Sequence, residues 1–419
     1  MKAVRRDKIA DAVIFGVLLA AVSAVMFTLF YRQTLGSEAL YHSDMKAYIL
    51  EMQGLESGYE FPYPVFFKLS ALIHLFAGPQ MAVAIATMLL NSLAIMVTKL
   101  AFNHLLPRKG VADGALLSIL SIALFFVSML TVPEGLYLPG IYRRYLGVFT
   151  PNPFHNATYL AARPFAILAF LWFVKLLPVY EKEAGRKLIG DYILFSVFLL
   201  LATMTKPSFT LVLVSTAGLI MLYRLIRSRF QNLVPTLLFG LAFVPTFIDL
   251  LYQYKGVFVP EEGVEGGLGF CFGEVWGKYC GNLPLAVCLG VGFPLAVLVA
   301  NFKKCKKNTM FLFSWQLYAV GFAEAFFLYE KGFRKFDFNF SWGYICGMFF
   351  CHFAALLVLL QVTKEEAARR HEAVLPDDAF WKKPAFRRAL IVLQWLAFIG
   401  HLVCGLMYFY DIFGGAMYY

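Results

Sequence analysis

Asp44 is the carboxylate best placed to do chemistry. It lies in Tyr41-His42-Ser43-Asp44-Met45, just beyond an apolar run that ends at Tyr31. A lone carboxylate there can act as a general base on a hydroxyl. It can equally cap the helix expected from Ser43 onward, accepting from the free N–H groups of the first turn. The two roles compete, because a capping oxygen is already engaged. That helix would carry Met45, Tyr48, Ile49 and Met52 as one apolar stripe, which suits the lipid interface. Gly54 and Gly58 then break it, and Pro62 and Pro64 open a second apolar helix over 64–77.

The basic candidates point to an anion. His155, Tyr159 and Arg163 recur every four residues, so they share one helix face. Arg163 lies within an apolar stretch, where a charge costs about 2.5–3.5 kcal/mol at mid-helix. It must meet protein, water or an anion, or snorkel to the headgroups. Lys206 sits in Thr205-Lys206-Pro207-Ser208, at the expected start of a helix. A cation is awkward there on dipole grounds, and the awkwardness vanishes if an anion binds the free N–H groups and the ammonium together. A lipid phosphate is the natural anion; the plainer alternative is an interfacial lysine among headgroups. Arg143-Arg144 and Arg334-Lys335 are weaker phosphate candidates that read first as solvated loop faces. Asn156-Ala157-Thr158 and Asn339-Phe340-Ser341 match the glycosylation acceptor triplet. Cys271 and Cys280 share a loop, where a disulfide could close in an oxidising compartment. There is no Cys/His metal cluster, no Gly-rich phosphate loop, no Gly-x-Ser-x-Gly and no Asp-x-Asp; the acidic pair Asp377-Asp378 falls on the inner side. The interrupted Gly263–Gly269 run reads as flexible loop.

These residues need elements to hold them, and the composition says what kind. Of 419 residues 60% are hydrophobic and only 15% charged, well apart from a soluble domain. Mean hydropathy is +0.69. About eleven segments have the roughly 20 apolar residues of a membrane helix: 9–31, 80–104, 114–133, 158–179, 188–204, 207–226, 231–252, 283–302, 309–330, 341–362 and 389–412. The first follows Arg5-Arg6-Asp7-Lys8 and is too long for the apolar core of a signal peptide. The net charge of +11 is therefore a question of sides, and it predicts no nucleic-acid partner. With the N-terminus inside, about two thirds of the Lys and Arg fall in inner loops, as the positive-inside rule requires. The C-terminus is then outside. The expected chain is a single polytopic all-α domain over 1–419, with outer segments 32–79, 134–157 and 253–282 and an inner stretch 363–388. The outer segments hold the Gly, Pro, aromatic and acidic punctuation, and loops on rigid scaffolds tend to carry function.

An inside-to-outside first span, a long outer loop with an early acidic residue, a juxtamembrane helix and the Gly58-Tyr59-Glu60-Phe61-Pro62-Tyr63-Pro64 return to the membrane together resemble the GT-C class of integral-membrane glycosyltransferases. The topological likeness covers the whole chain, and its motif content is confined to 41–67. It departs from the many members that carry a soluble C-terminal domain, since this chain ends at Tyr419. The resemblance implies a polyprenyl-phosphate-linked sugar as donor and a glycan, lipid or protein as acceptor. It makes Asp44 the catalytic carboxylate, working at the extracytoplasmic face of a membrane, most naturally in bacterial cell-envelope polysaccharide synthesis. Arg163 and Lys206 would then bind the phosphate, with His42, His155 and Tyr159 as donor or acceptor contacts. The pattern demands no cofactor and leaves a divalent metal open. The competing readings are a lipid-linked-sugar flippase or transporter, an O-antigen-type polymerase or ligase, and a non-catalytic membrane subunit. Few ionisable groups lie inside the spans (Asp249 and Glu324, both in outer halves), which disfavours a coupled transporter. The late loop 253–282 has neither Arg nor His, which disfavours the polymerase.

Overall fold

The computed structural model describes residues 2–107, 110–132, 138–141, 145–183, 185–258, 266–369 and 383–417. Arg143, Arg144, Asp377 and Asp378 lie outside them. The chain runs α1 (Lys2–Thr34), α2 (Met45–Met52), α3 (Pro64–His74), α4 (Pro79–Leu105), α5 (Gly110–Ala123), α6 (Ala157–Leu176), α7 (Gly185–Thr205), α8 (Ser208–Arg227), α9 (Leu233–Leu241) and α10 (Val244–Phe258). It continues through β1 (Leu268–Phe270), α11 (Glu274–Gly277), α12 (Leu283–Ala300), α13 (Phe302–Cys305), α14 (Thr309–Phe327), β2 (Leu328–Glu330), α15 (Ser341–Ala368) and α16 (Pro384–Phe413). β1 and β2 form one short antiparallel pair, so the end of the Gly263–Gly269 run is strand. The protein is an all-α, multi-pass integral membrane protein. Among the described residues nine helices are long and apolar enough to cross a membrane, and α9 with α10, bent by 54°, adds a tenth as one broken span.

The count differs from eleven because the segment 114–133 is not one continuous helix. α5 stops at Ala123, and the chain then runs as turn and irregular backbone from Leu124 to Val132. Bare backbone is tolerated at membrane depth only where protein satisfies it, and here it is satisfied. Asn152 Nδ2 donates to the carbonyls of Leu124 (3.1 Å) and Val127 (2.8 Å). Ser128 N donates to His401 O, and Leu130 N to Leu289 O. Gly405 of α16 lets this stretch approach the helix closely, since a Cβ there would strike Phe126 O.

α15 is apolar all round and buried along most of its length, as a central helix must be. Gly347 lets α14 close onto it: a Cβ would reach Tyr318 Cα at 2.6 Å. Small residues at such crossings are the usual device of membrane helices, where packing rather than water drives association.

Two faces follow. Arg32, near the end of α1, donates to Phe413 O at the end of α16 and stacks over the Phe413 ring. The start of the loop after α1 is held there too, by Tyr41 N on Gly415 O. At the far ends of the helices Lys364 meets Asp113 and Pro107 O, Lys304 meets Glu365, and Arg387 and Arg388 meet Glu366. These contacts bring the segments around Asp113, Lys304, Lys364 and Arg387 together at one end of the bundle.

Candidate functional site

α2 forms where the sequence expects it, but its stripe does not face lipid. Met45, Tyr48 and Ile49 are buried, and the Tyr48 ring packs edge-on against Phe61, Phe66 and Phe67. The loop folds back because Gly54 and Gly58 take positive φ (69° and 76°) and Pro64 starts α3. The apolar face of α2 is therefore covered by the helix that follows it.

Asp44 occupies the N-cap position of α2 without capping by its side chain. Ser43 Oγ takes the Met45 N–H instead, at 3.4 Å. The Asp44 carboxylate turns toward α6. Its Oδ2 accepts from Asn156 Nδ2 at 2.7 Å and from the Tyr48 hydroxyl at 3.1 Å. Oδ1 accepts nothing from the described residues, and the side chain stays partly exposed. Asp44 N donates to His155 O, which pins the two loops together.

Asn156 is the hub. Its side-chain oxygen caps α6 by accepting Tyr159 N at 3.0 Å, and it also accepts Lys206 Nζ at 3.0 Å and the Thr158 hydroxyl at 3.1 Å. Lys206 reaches Thr158 Oγ1 as well, at 3.3 Å, and lies 4.8 Å from the centre of the Trp342 ring. The awkward cation before α8 is thus satisfied by protein groups. One amide holds a carboxylate on its nitrogen side and an ammonium on its oxygen side.

Burial sets the charges. It raises the Asp44 carboxyl above its ordinary value, against the pull of Lys206, Tyr48, His42 and Asn156. It lowers the Lys206 ammonium to about 8, with Asp44 opposing. It pushes the Tyr48 phenol well up, helped by Asp44, so Tyr48 remains a donor. His155 falls to about 3 through burial and then the charges of Lys206 and His42, and is a neutral ring at any working pH. It stacks edge-on to Tyr145 at 4.9 Å. His42 stands within electrostatic reach of both Asp44 and His155.

Arg163 does not snorkel. It is 4% exposed and donates to Asn152 Oδ1 and to Pro151 O. Its guanidinium is enclosed by Phe349, Tyr159 and Phe125 at 4.4, 5.2 and 5.4 Å. It braces the loop that carries His155 and Asn156. Tyr159, one turn above, packs 5.3 Å from Trp342.

Two cavities meet at Lys206. One of about 20 Å³, room for a single water, also has Arg163, Tyr159 and Cys346 in its wall. The other, about 400 Å³, is in the range of small-ligand sites. Lys206, Arg334, Glu330, Glu324, Glu60 and Asn339 line its polar part, and Leu211, Phe247, Leu250 and Leu251 its apolar part. Arg334 is tethered there by Glu330 (3.3 Å) and Asp337 (3.2 Å). Burial raises the Glu330 carboxyl despite Arg334 and Asn339. Lys335 points elsewhere, onto Glu274 at the surface, so the Arg334-Lys335 pair divides between two places.

The expected disulfide is absent. Cys271 and Cys280 are free, held by different neighbours on either side of α11. Cys271 N donates to Phe327 O at the end of the hairpin, while Cys280 bridges Ile141 and packs on Gly147. Asn156 is buried with its amide nitrogen on Asp44, so the Asn156-Ala157-Thr158 triplet offers no accessible glycosylation acceptor. Among the described residues no group of three or more His, Cys, Asp or Glu is placed to hold a metal ion.

Asn156, Thr158, Tyr48 and Trp342 were not anticipated as site residues. Tyr48 is legible in sequence only as part of an apolar stripe, Asn156 and Thr158 only as a triplet, and Trp342 carries no signal at all.

No protein-family model matches the chain, and no curated protein matches it. Among solved structures it is similar to ArnT from Cupriavidus metallidurans in the apo state, at 13% identity and a TM-score of 0.44, over 96% of this chain and 76% of that one. It is similar to the same protein bound to undecaprenyl phosphate at 15% identity and a TM-score of 0.42, over 95% and 75%.

Proposed function

We propose that the protein is a membrane glycosyltransferase that moves a hexosyl or pentosyl group from a polyprenyl-phosphate donor to a glycan, lipid or protein acceptor at the extracytoplasmic face. The observation that carries the reading is the Asp44–Asn156–Lys206 arrangement, whose Lys206 end lines a cavity that is part polar and part apolar. A sugar on a lipid phosphate needs both kinds of wall.

In this mechanism the acceptor hydroxyl gives its proton to Asp44 Oδ1, the oxygen that accepts nothing from the described residues, as the hydroxyl oxygen forms a bond to the anomeric carbon. The bond from that carbon to the phosphate oxygen breaks, and its electron pair stays on the phosphate. The phosphate thus gains one negative charge, and a cation fixed beforehand stabilises that charge most in the transition state. Lys206 is that cation, with Arg334 at the same cavity and Arg163 behind it. A phosphate leaves readily without a general acid, so one carboxylate suffices where a glycosidase uses two. A raised carboxyl makes a stronger base once ionised. His42 and Tyr159 flank the network as substrate contacts, and His155 contributes a neutral ring. One polytopic domain with its N-terminus cytoplasmic and its C-terminus outside places Asp44 on the outer face, as the distribution of Lys and Arg supports.

The test is release of polyprenyl phosphate by the purified protein, given a panel of polyprenyl-phosphate sugars and envelope acceptors. Asp44→Asn should retain donor binding and lose turnover by at least 100-fold. Full activity in that variant would overturn the assignment of the base.

A further inference from the structure

α8 and α14 serve two cavities, one at each end. Ser208 and Leu211 of α8 and Glu324 of α14 line the cavity beside Lys206. At the opposite ends of the same helices, on the face away from Asp44, lies a larger cleft of about 580 Å³. Its walls are one stripe of α8, from Thr216 to Arg227, and one stripe of α14, from Thr309 to Val320. At 1.5 Å per residue each stripe is about 16 Å long, roughly half of a 30 Å hydrocarbon core. The cleft is therefore one leaflet deep.

Its lining is mostly apolar, broken by Thr216 and Gln316, and its charges stand at one end. Leu219, Leu312 and Ala319 are exposed apolar or small positions along the groove. Arg224 and Arg227 stand at the rim. Arg224 is fixed there by Leu177 O (2.6 Å) and Glu181 (3.3 Å). Arg227 is exposed, and among the described residues it meets the Tyr223 hydroxyl (3.3 Å) and no carboxylate. The first turn of α14 adds the positive end of a helix dipole at the same rim, with Thr309 in the wall.

We infer that this cleft binds one anionic glycerophospholipid of the leaflet opposite Asp44. Its phosphate lies on Arg227 and Arg224, and an acyl chain fills the groove between α8 and α14. A neutral zwitterionic lipid brings no net charge to the Arg227 guanidinium, which meets no carboxylate among the described residues. A polyprenyl phosphate shares the headgroup chemistry, but its chain is several times longer than a leaflet-deep groove. Since the same two helices wall the cavity beside Lys206, the lipid also fixes their spacing there.

The full chain, purified and stripped of lipid, is titrated with phosphatidylglycerol, phosphatidylcholine or undecaprenyl phosphate, and bound lipid is counted by native mass spectrometry. One phosphatidylglycerol should bind, about tenfold or more tighter than phosphatidylcholine. Arg227→Gln should bring the two lipids level. Ala319→Trp, which fills the groove and leaves the charges alone, should abolish binding, whereas Lys303→Gln, on the same face outside the cleft, should change nothing. Equal retention of the two phospholipids by the unmodified chain would overturn the proposal. So would unchanged phosphatidylglycerol binding in both cleft variants, or its displacement by undecaprenyl phosphate.

Discussion

Asn156 Nδ2 lies 2.7 Å from Asp44 Oδ2, and that contact joins two loops 112 residues apart in sequence. The oxygen of the same amide caps α6 and receives Lys206. Asn156→Ala removes these three bonds and the one from the Thr158 hydroxyl. The lost cap costs about 1 kcal/mol, and each bond to a charged partner about 1.5–3 kcal/mol. A clear drop in melting temperature and a fall in turnover of at least tenfold are expected. Asn156→Asp keeps the cap but places a second carboxylate beside Asp44. It should recover part of the melting temperature and little of the turnover. Parallel melting curves and turnover assays on the two variants separate the structural share from the chemical one.

The pH profile follows from the two buried charges. Asp44 must be ionised to accept a proton, and its carboxyl is held above the ordinary 3.8. Activity therefore falls on acidification earlier than for an exposed aspartate. Lys206 must be cationic to hold phosphate, and its ammonium lies at about 8, so kcat/KM should fall again as pH rises through 8. Bound phosphate raises the ammonium, which moves the alkaline limb of kcat above that of kcat/KM. Lys206→Arg should erase the alkaline limb, because a guanidinium stays charged. A wild-type kcat/KM that is flat through pH 8 would count against Lys206 as the phosphate cation.

What could be read in sequence and what could not divides along physical lines. The spans were legible because lipid exposure demands long apolar runs, and Asp44 was legible because a carboxylate next to such a run stands out. The 3,4 spacing of Met45, Tyr48 and Ile49 gave α2 but not what covers it. Lipid and the Phe66-Phe67 pair look alike to a hydrophobic pattern. Asn156 was hidden because its meaning depends on Asp44 and Lys206, both far away in the chain. The break after Ala123 was hidden for the same reason: the partners that satisfy Ser128 and Leu130 come from α16 and α12. Cys271 and Cys280 show the converse. Nearness in sequence suggested a bond, yet both thiols are free, one beside the hairpin and the other against Gly147.

Arg163 can act on phosphate directly or by bracing the loop before α6, and kinetics can tell these apart. Its guanidinium is engaged by Asn152 and Pro151 O inside an aromatic cage, so bracing is expected to dominate. Arg163→Lys cannot span both acceptors, and an acceptor left unpaired in the interior costs about 1–3 kcal/mol. The variant should melt earlier and lose kcat through a displaced Asn156, while the KM for donor changes less than about threefold. A large rise in donor KM with kcat and melting temperature preserved would instead make Arg163 a phosphate ligand.

His401 makes the most exacting structural prediction. Its Nδ1 is 2.6 Å from Ser128 O, and its Nε2 accepts Phe293 N–H at 3.1 Å. A nitrogen that accepts from an amide carries no proton, so the ring is the neutral Nδ1–H tautomer. The imidazole closes two gaps at once: the irregular stretch after α5, and the kink in α12, where Val291 leaves helical geometry ahead of Pro294. His401→Ala opens both, at about 1–3 kcal/mol for each backbone group left unpaired. His401→Gln retains one donor and one acceptor and should recover part of the loss. Melting of the detergent-solubilised protein should rank wild type above Gln and Gln above Ala, with turnover per folded molecule little changed. An Ala variant that melts with the wild type would mean that other groups hold the broken span in place.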